Sequence, residues 1–270
     1  MPSKIVSTHK EKYSSKPEVL RILSNRKEIE ITELADAHCH LDMVSRAEID
    51  EAIKLGIKTF ISNGGSTKSN TKTLEISDGI NVFPAIGIDP DNAENMTKNE
   101  LEFNLDLIRE NASRIKSIGE IGLDYKNRTQ AQMAKQEEAF REMLRLAKEL
   151  GKPVSVHSRD AIKSVIKIID EEKIEKAHIH FFEGNMEDIK ALKSIDCMVS
   201  IPPLESKRRN EIIKMVDIEM IMAETDAPAA AKKLTDLKEA VKIIAREKEM
   251  DYTETARILT KNTKRFFLLN

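Results

Sequence analysis

Histidines and carboxylates of this chain are concentrated in five short segments. Five of the six histidines lie in three of them, and the other two place a glutamate or an aspartate after an apolar run. Imidazole and carboxylate together are the ligand set of hydrolytic centres that hold divalent metal ions. The sequence therefore predicts a metal centre assembled from five parts of the chain: residues 37–42, 119–124, 156–160, 178–182 and 224–228.

The first segment pairs two histidines at alternate positions. His38 and His40 share one face of a predicted strand, because side chains two residues apart in a strand point the same way. We expect both to be metal ligands, and Cys39, which points the other way, to be a packing residue. Such a pair alone is also compatible with one hydrogen-bonded core histidine and one incidental histidine.

Glu120 and Asp226 are the candidate carboxylates of the centre. Glu120 lies between two glycines at the end of an apolar run. There it could bridge two ions through its two oxygens, or act as a salt-bridged supporting group. Asp226 follows the last apolar run, where it could bind a metal and accept a proton from water, or simply cap a turn or helix. Both are predicted to be catalytic as well as metal-binding.

His157 and His180 complete the predicted ligand set. His157 ends the apolar run 153–157. His178 and His180 share a face, but His180 is nearer the end of its strand, where barrel enzymes place their chemistry. We therefore predict His180 as the ligand and His178 as a hydrogen-bonded core histidine.

These segments require strands that end side by side. Apolar runs typical of buried strands alternate with amphipathic runs typical of helices, a pattern that favours a parallel sheet with crossover helices. Eight strands favour a (β/α)8 TIM barrel over an open doubly wound sheet, which stays an alternative. The predicted strands are 33–38, 57–61, 81–86, 116–121, 153–157, 177–182, 197–201 and 218–224. Helices are predicted near 46–55, 68–76, 98–112, 130–149, 160–171, 186–193, 205–215, 234–248 and 251–266.

The chain is predicted to comprise one catalytic domain and an extension. Residues 31–270 form the barrel domain, since no linker or repeat divides them. Residues 1–30 form a partly mobile N-terminal extension, with a short helix beginning at 15–18, where a proline occupies the first turn.

Composition restricts the classes of function. The formal net charge is −2, so no overall basic field indicates nucleic-acid binding, and any such site has to be local. Two cysteines favour a reduced, cytoplasmic protein, and no apolar run reaches spanning length, so we expect no membrane contact. No obligate protein partner is predicted.

Four of the segments, in their order, resemble the motifs of the TatD family of metal-dependent nucleases, within the amidohydrolase-like barrels. The matching stretches are DAHCHLD at 36–42, IGEIGLDY at 118–125, PVSVHSRDA at 153–161 and ETDAP at 224–228. The ordered set is far more specific than any one motif. The resemblance covers roughly residues 33–268, including a closing helix that ends near 267.

The resemblance implies a TIM barrel with one or two divalent metal ions. We predict two, for which Mg²⁺, Mn²⁺ and Zn²⁺ are all candidates. The implied ligands are His38, His40 and Asp226 for one ion, His157 and His180 for the other, and Glu120 as a bridge. Members of the family hydrolyse phosphodiester bonds in DNA, often from the 3′ end of single strands. The implied activity is therefore a 3′-to-5′ exonuclease on single-stranded DNA, with Asp226 taking a proton from the attacking water.

The substrate-facing residues depart from the family pattern. Asp89 stands where the family commonly has a histidine that is expected to face the substrate phosphate, and the segments after His180 and Pro228 differ as well. Arg159 could contact a phosphate or form a salt bridge at a helix start. Asp89 and Arg159 are thus the predicted substrate contacts.

Two other interpretations of the site stay open. One is a small-molecule metallohydrolase of the amidohydrolase type, acting on an amide, a lactone or a small phosphoester. Many such barrels bridge their metals with a carboxylated lysine at the position of Glu120, which argues against them. The other is a non-enzymatic metal-binding protein.

Overall fold

Eight parallel strands form one sheet in sequence order, β1 to β8, in a computed structural model that describes residues 32–269. The strands are β1 Leu34–Cys39, β2 Ile57–Asn63, β3 Val82–Ile86, β4 Ser117–Gly122, β5 Val154–His157, β6 Ala177–Ile179, β7 Met198–Ile201 and β8 Ile221–Ala223. This order, with a helix after each strand, confirms the predicted TIM barrel and excludes the open doubly wound sheet. The predicted extension, with its short helix, lies outside the described residues.

The helices surround the sheet and match the amphipathic runs of the sequence. They are α1 Arg46–Lys54, α2 Thr67–Ile76, α3 Pro90–Ala93, α4 Lys98–Glu110, α5 Gln130–Leu150, α6 Ile162–Glu172, α7 Met186–Ser194, α8 Lys207–Met215, α9 Leu237–Glu247 and α10 Tyr252–Phe266. Only the single turn α3 has no counterpart in the sequence prediction. None of these helices has the length and apolar character needed to cross a membrane.

Two predicted strands are longer than the observed ones by more than one residue. The sixth ends at Ile179 rather than at residue 182, because the backbone turns at Phe181, whose φ is 49°. The eighth begins at Ile221 rather than at residue 218, because Ile218–Met220 forms one turn of 3₁₀ helix. Both errors arise where apolar residues continue through a turn, so that hydrophobicity alone does not mark the strand end.

Side chains help to join the last strand to the first. The Asp36 carboxylate of β1 accepts hydrogen bonds from the backbone N–H of Thr225, at 2.9 Å, and from its hydroxyl, at 2.5 Å. Immediately beyond, the Asp226 N–H donates to the His38 carbonyl at 2.9 Å. Burial raises the pKa of Asp36 to about 7, although the Thr225 hydrogen bonds favour its ionised form. The seam between β8 and β1 therefore lies directly beneath two of the predicted ligands.

The buried core has two parts. The larger apolar cluster fills the space between the sheet and the helices, and Cys39 belongs to it, in agreement with a packing role. The smaller cluster contains Phe266 and Phe267 from the end of the chain, together with Met198 and Met222. The His178 ring meets both phenyl rings edge-on, so this cluster borders the buried polar residues of the barrel.

Candidate metal centre

Six predicted ligands meet at one end of the barrel. His38, Glu120 and His157 lie at or near the carboxyl ends of β1, β4 and β5, and His40, His180 and Asp226 lie just beyond β1, β6 and β8. The carboxyl ends of the strands are where TIM-barrel enzymes carry their catalytic groups. The fold thus brings together residues that are up to 188 positions apart in the chain, from His38 to Asp226.

Four of these side chains form what we call the first half-site. The Nε2 atoms of His38 and His40 lie 3.3 Å apart. Glu120 Oε2 is 3.7 Å from the first nitrogen and 3.6 Å from the second. Asp226 Oδ1 is 3.9 Å and 3.3 Å from the same two nitrogens. The four atoms therefore surround one small space.

The second half-site consists of His157, His180 and the other carboxylate oxygen of Glu120. His157 Nδ1 and His180 Nε2 are 3.0 Å apart. Glu120 Oε1 is 2.9 Å from the first nitrogen and 3.0 Å from the second. The two oxygens of Glu120 therefore face different histidine pairs, which is the arrangement a bridging carboxylate needs.

The separations fit the radii of metal coordination. Ligand atoms about 2.1 Å from a divalent ion lie about 3.4 Å apart at tetrahedral angles and about 3.0 Å apart at right angles. The first half-site matches the wider spacing and the second matches the narrower one. Both donor sets mix nitrogen with carboxylate oxygen, so Zn²⁺, Mn²⁺ and Mg²⁺ are compatible with them.

Neighbouring groups orient the imidazoles. His40 Nδ1 lies 3.0 Å from the Asn63 carbonyl, so it donates to that oxygen and leaves Nε2 free for a metal. His157 Nε2 lies 3.4 Å from Asp124 Oδ2, which presents a carboxylate to the nitrogen opposite the centre. Asp124 is buried and also accepts a 2.8 Å hydrogen bond from Arg159 Nε.

A glycine allows β4 and β5 to approach at this point. Gly122 has a φ of 134°, and a Cβ there would lie 2.2 Å from the His157 carbonyl oxygen. Only glycine fits both the conformation and the space. Gly122, two residues after Glu120 in the sequence motif, therefore permits the close approach of β4 to His157.

Electrostatic coupling is strong in the centre. Burial opposes the ionised form of Glu120, but His180 and His157 outweigh it and hold its pKa well below the ordinary value. Burial also opposes the charged form of His40 and of His157. The hydrogen bond to Asp226 nevertheless raises the pKa of His40 to about 9. Those to Asp124 and Glu120 raise the pKa of His157 to about 10. Protonated His40 and His157 therefore place positive charge beside the carboxylates of the site. A bound cation would supply charge of the same sign there.

The two predicted substrate contacts line the pocket above the centre, which has a volume of about 610 Å³. Asp89 caps α3 and accepts a 2.8 Å hydrogen bond from the Asn92 N–H. Burial and the nearby Glu120 charge raise its pKa to about 6. Arg159 is half-exposed, lies three residues before α6, and forms a salt bridge with Asp124.

Several residues of this site have no role predicted from the sequence. Asp124 was visible as a motif residue, but only the fold shows that it contacts His157. Phe181 lines the pocket, and Arg209 lies over its ring, 5.0 Å from the centroid. Glu224 is fully buried behind His180. A carboxylate at the end of a predicted buried strand is the available signal for Glu224.

Comparisons with known proteins agree with this arrangement. The model of TatD related DNases matches residues 35–268. An uncharacterized metal-dependent hydrolase of Methanocaldococcus jannaschii is 29% identical over 244 residues, which is 86% of this chain and 96% of that protein. The human deoxyribonuclease TATDN3 is 28% identical over 262 residues, which is 87% of this chain and 94% of that protein.

The fold also agrees with solved structures. The crystal structure of a TatD homologue from Escherichia coli superimposes with a TM-score of 0.82 at 19% sequence identity, and covers 89% of this chain and all of that one. The family match spans nearly the whole described barrel. The chain therefore belongs to the TatD family of metal-dependent hydrolases.

Proposed function

We propose that this protein is a two-metal nuclease that removes nucleotides from the 3′ end of single-stranded DNA. The observation that carries the proposal is the orientation of Glu120, whose two oxygens face separate pairs of histidines. In this assignment the first half-site, with Asp226, holds one divalent ion and the second half-site holds the other. The human relative named a deoxyribonuclease supports DNA as the substrate class.

Each group of the site has a role in this reaction. Divalent ions bound there would supply the Lewis acidity that makes water a nucleophile near neutral pH and would offset charge on the phosphoryl oxygens. Asp226 accepts a proton from the attacking water, since its carboxylate faces the first half-site and borders the pocket. Arg159 places a half-exposed guanidinium at the wall, where it contacts a substrate phosphate.

The pocket favours a strand end over a duplex. Its wall carries the cations Arg159 and Arg208, but also the carboxylates Asp89, Asp91 and Glu183. Such a wall gives little attraction to a long polyanion, whose binding depends on many phosphate contacts. A terminal nucleotide held at the centre needs only one or two phosphate contacts.

The same carboxylates favour a second candidate function. A neutral or cationic ester or amide would avoid repulsion by Asp89 and Asp91. A small-molecule metallohydrolase on the same centre is therefore the alternative that the test must separate from the nuclease.

The test is hydrolysis of a single-stranded oligonucleotide labelled at its 5′ end, with Mg²⁺, Mn²⁺ or Zn²⁺ added to metal-stripped protein. We expect a ladder that shortens stepwise from the 3′ end, and loss of the ladder in Glu120→Gln. Glu110→Gln, an exposed glutamate at the end of α4, is the matched control and should cleave like the parent protein. A metal-loaded protein that leaves DNA intact but hydrolyses a small ester would contradict the nuclease and favour the alternative.

A further inference from the structure

A line of buried polar groups leads from His38 into the barrel interior. His38 Nδ1 lies 3.2 Å from Ser155 Oγ, which lies 3.3 Å from His178 Nδ1. His178 Nε2 lies 2.6 Å from Ser200 Oγ, which lies 2.6 Å from Glu224 Oε2. All five side chains are fully buried. The line thus crosses the barrel from β1 through β5, β6 and β7 to the residue after β8.

The metal-binding end of this line fixes the direction of every hydrogen bond in it. A metal on His38 Nε2 leaves the ring proton on Nδ1, which must then donate to Ser155. The Ser155 hydroxyl therefore donates to His178 Nδ1, His178 donates from Nε2 to Ser200, and Ser200 donates to Glu224. Burial and the Asp226 charge raise the pKa of Glu224. The hydrogen bonds that it accepts from Ser200 and from the Phe181 N–H, the latter at 2.7 Å, favour its ionised form and its place as the acceptor at the end of the line.

We propose that Ser155, His178, Ser200 and Glu224 act together as positioning residues for the metal centre. They hold His38 in the tautomer and ring orientation that present Nε2 to the first half-site. Through the Phe181 N–H, Glu224 also holds the turn that carries His180 of the second half-site. One connected line of side chains therefore supports a ligand of each half-site. This inference rests on the proposed metal centre, but not on DNA as the substrate.

The competing explanation is that His178 and the serines merely fill space. The His178 ring does contact the Phe266 and Phe267 rings, with centroids 5.9 Å and 6.1 Å away. Packing alone, however, does not require a hydroxyl on either side of an imidazole. A packing role would tolerate removal of one hydroxyl, whereas the hydrogen-bonded line is interrupted by it.

The first test measures metal affinity directly, by competition with a chromophoric chelator. Ser155→Ala and Ser200→Ala are each expected to weaken Zn²⁺ binding at the first half-site by about 10- to 100-fold, as the loss of hydrogen-bond partners of metal-ligating histidines does. Ser200→Thr, which keeps the hydroxyl, should recover most of the affinity. The matched control is Ser117→Ala, which removes a buried strand hydroxyl that bonds the Pro153 carbonyl, outside the line.

The second test reads the tautomers by ¹⁵N NMR of the histidine rings in the Zn²⁺-loaded protein. The line predicts Nδ1–H for His38 and Nε2–H for His178. Any one of three results would overturn the positioning role. They are an unchanged Zn²⁺ affinity in Ser155→Ala, a loss of Zn²⁺ affinity in Ser117→Ala equal to that in Ser155→Ala, and an Nδ1–H tautomer of His178. A parent protein that binds Zn²⁺ normally, yet cleaves no DNA, would contradict the proposed substrate and leave these expectations in force.

Discussion

The two half-sites of the candidate centre differ in how the protein holds them. His38 of the first half-site is fully buried and bonded to groups inside the barrel, whereas the His157 side chain of the second is 22% exposed. The partner of His157 is Asp124, which in turn binds the pocket residue Arg159. The core thus fixes His38, whereas the wall that meets the substrate fixes His157. We infer that the first half-site binds metal more tightly and that the second responds to substrate.

Glu120→Gln should give the largest effect on metal binding and activity, because Glu120 supplies one oxygen to each half-site. We expect the bound metal to fall from two ions to one or none, and activity to fall by at least about a thousandfold, since charge stabilisation by metal contributes several kcal/mol. Metal analysis of the dialysed protein and single-turnover kinetics measure the two effects. A variant that keeps two ions would refute the bridge.

Asp226→Asn should damage the first half-site and the proton transfer together. The amide keeps the size of the side chain but removes its charge and most of its basicity, so we expect a loss of about 10²- to 10⁴-fold in kcat. The metal at the second half-site should stay bound. We expect kcat to fall while the circular dichroism spectrum shows that the variant is still folded. A normal kcat would exclude Asp226 as the proton acceptor.

Asp124→Asn should act on the second half-site alone. Its carboxylate faces His157 Nε2, and its loss is expected to weaken the second metal about 10- to 100-fold while leaving the first unchanged. Calorimetric titration resolves the two binding events. If both affinities fell equally, Asp124 would not act through His157 alone.

Asp89→Asn should give the smallest effect and should raise stability. Asn also caps helices well, so α3 is preserved. The pKa of Asp89 is raised to about 6 from 3.8, so its contribution to stability is complete below about pH 4 and is lost as the pH rises through 6.

The free energy of unfolding of the metal-free Asn variant should therefore match that of the parent near pH 4 and exceed it at pH 8 by up to about 3 kcal/mol. Urea unfolding at both values of pH measures this difference. A difference that is constant with pH would show that Asp89 does not titrate as inferred.

The sequence predicted the barrel because strands and helices of a (β/α)8 fold differ in hydrophobic period, and that signal is local. The positions of the six candidate ligands followed, since each lies at or just beyond a strand end. The turn at Phe181 was missed because two phenylalanines continue the apolar run past β6. The helix after Asp89 was missed because a single turn, Pro90–Ala93, is too short to show a period.

Contacts that depend on register could not be predicted in the same way. Ser155 and Ser200 are ordinary small residues in strands, and nothing local indicates that His178 lies between them. Asp124 also required the fold, because its partner His157 is on the neighbouring strand. Sequence patterns thus located the candidate ligands, whereas the groups that orient them appear only when neighbouring strands are aligned.

The most direct test of the account is anomalous diffraction from crystals of the protein soaked in Mn²⁺. We expect two peaks about 3.5–4 Å apart, one beside His38, His40 and Glu120 Oε2 and the other beside His157, His180 and Glu120 Oε1. A single peak, or two peaks that share no oxygen donor from Glu120, would contradict the two half-sites and the bridge between them.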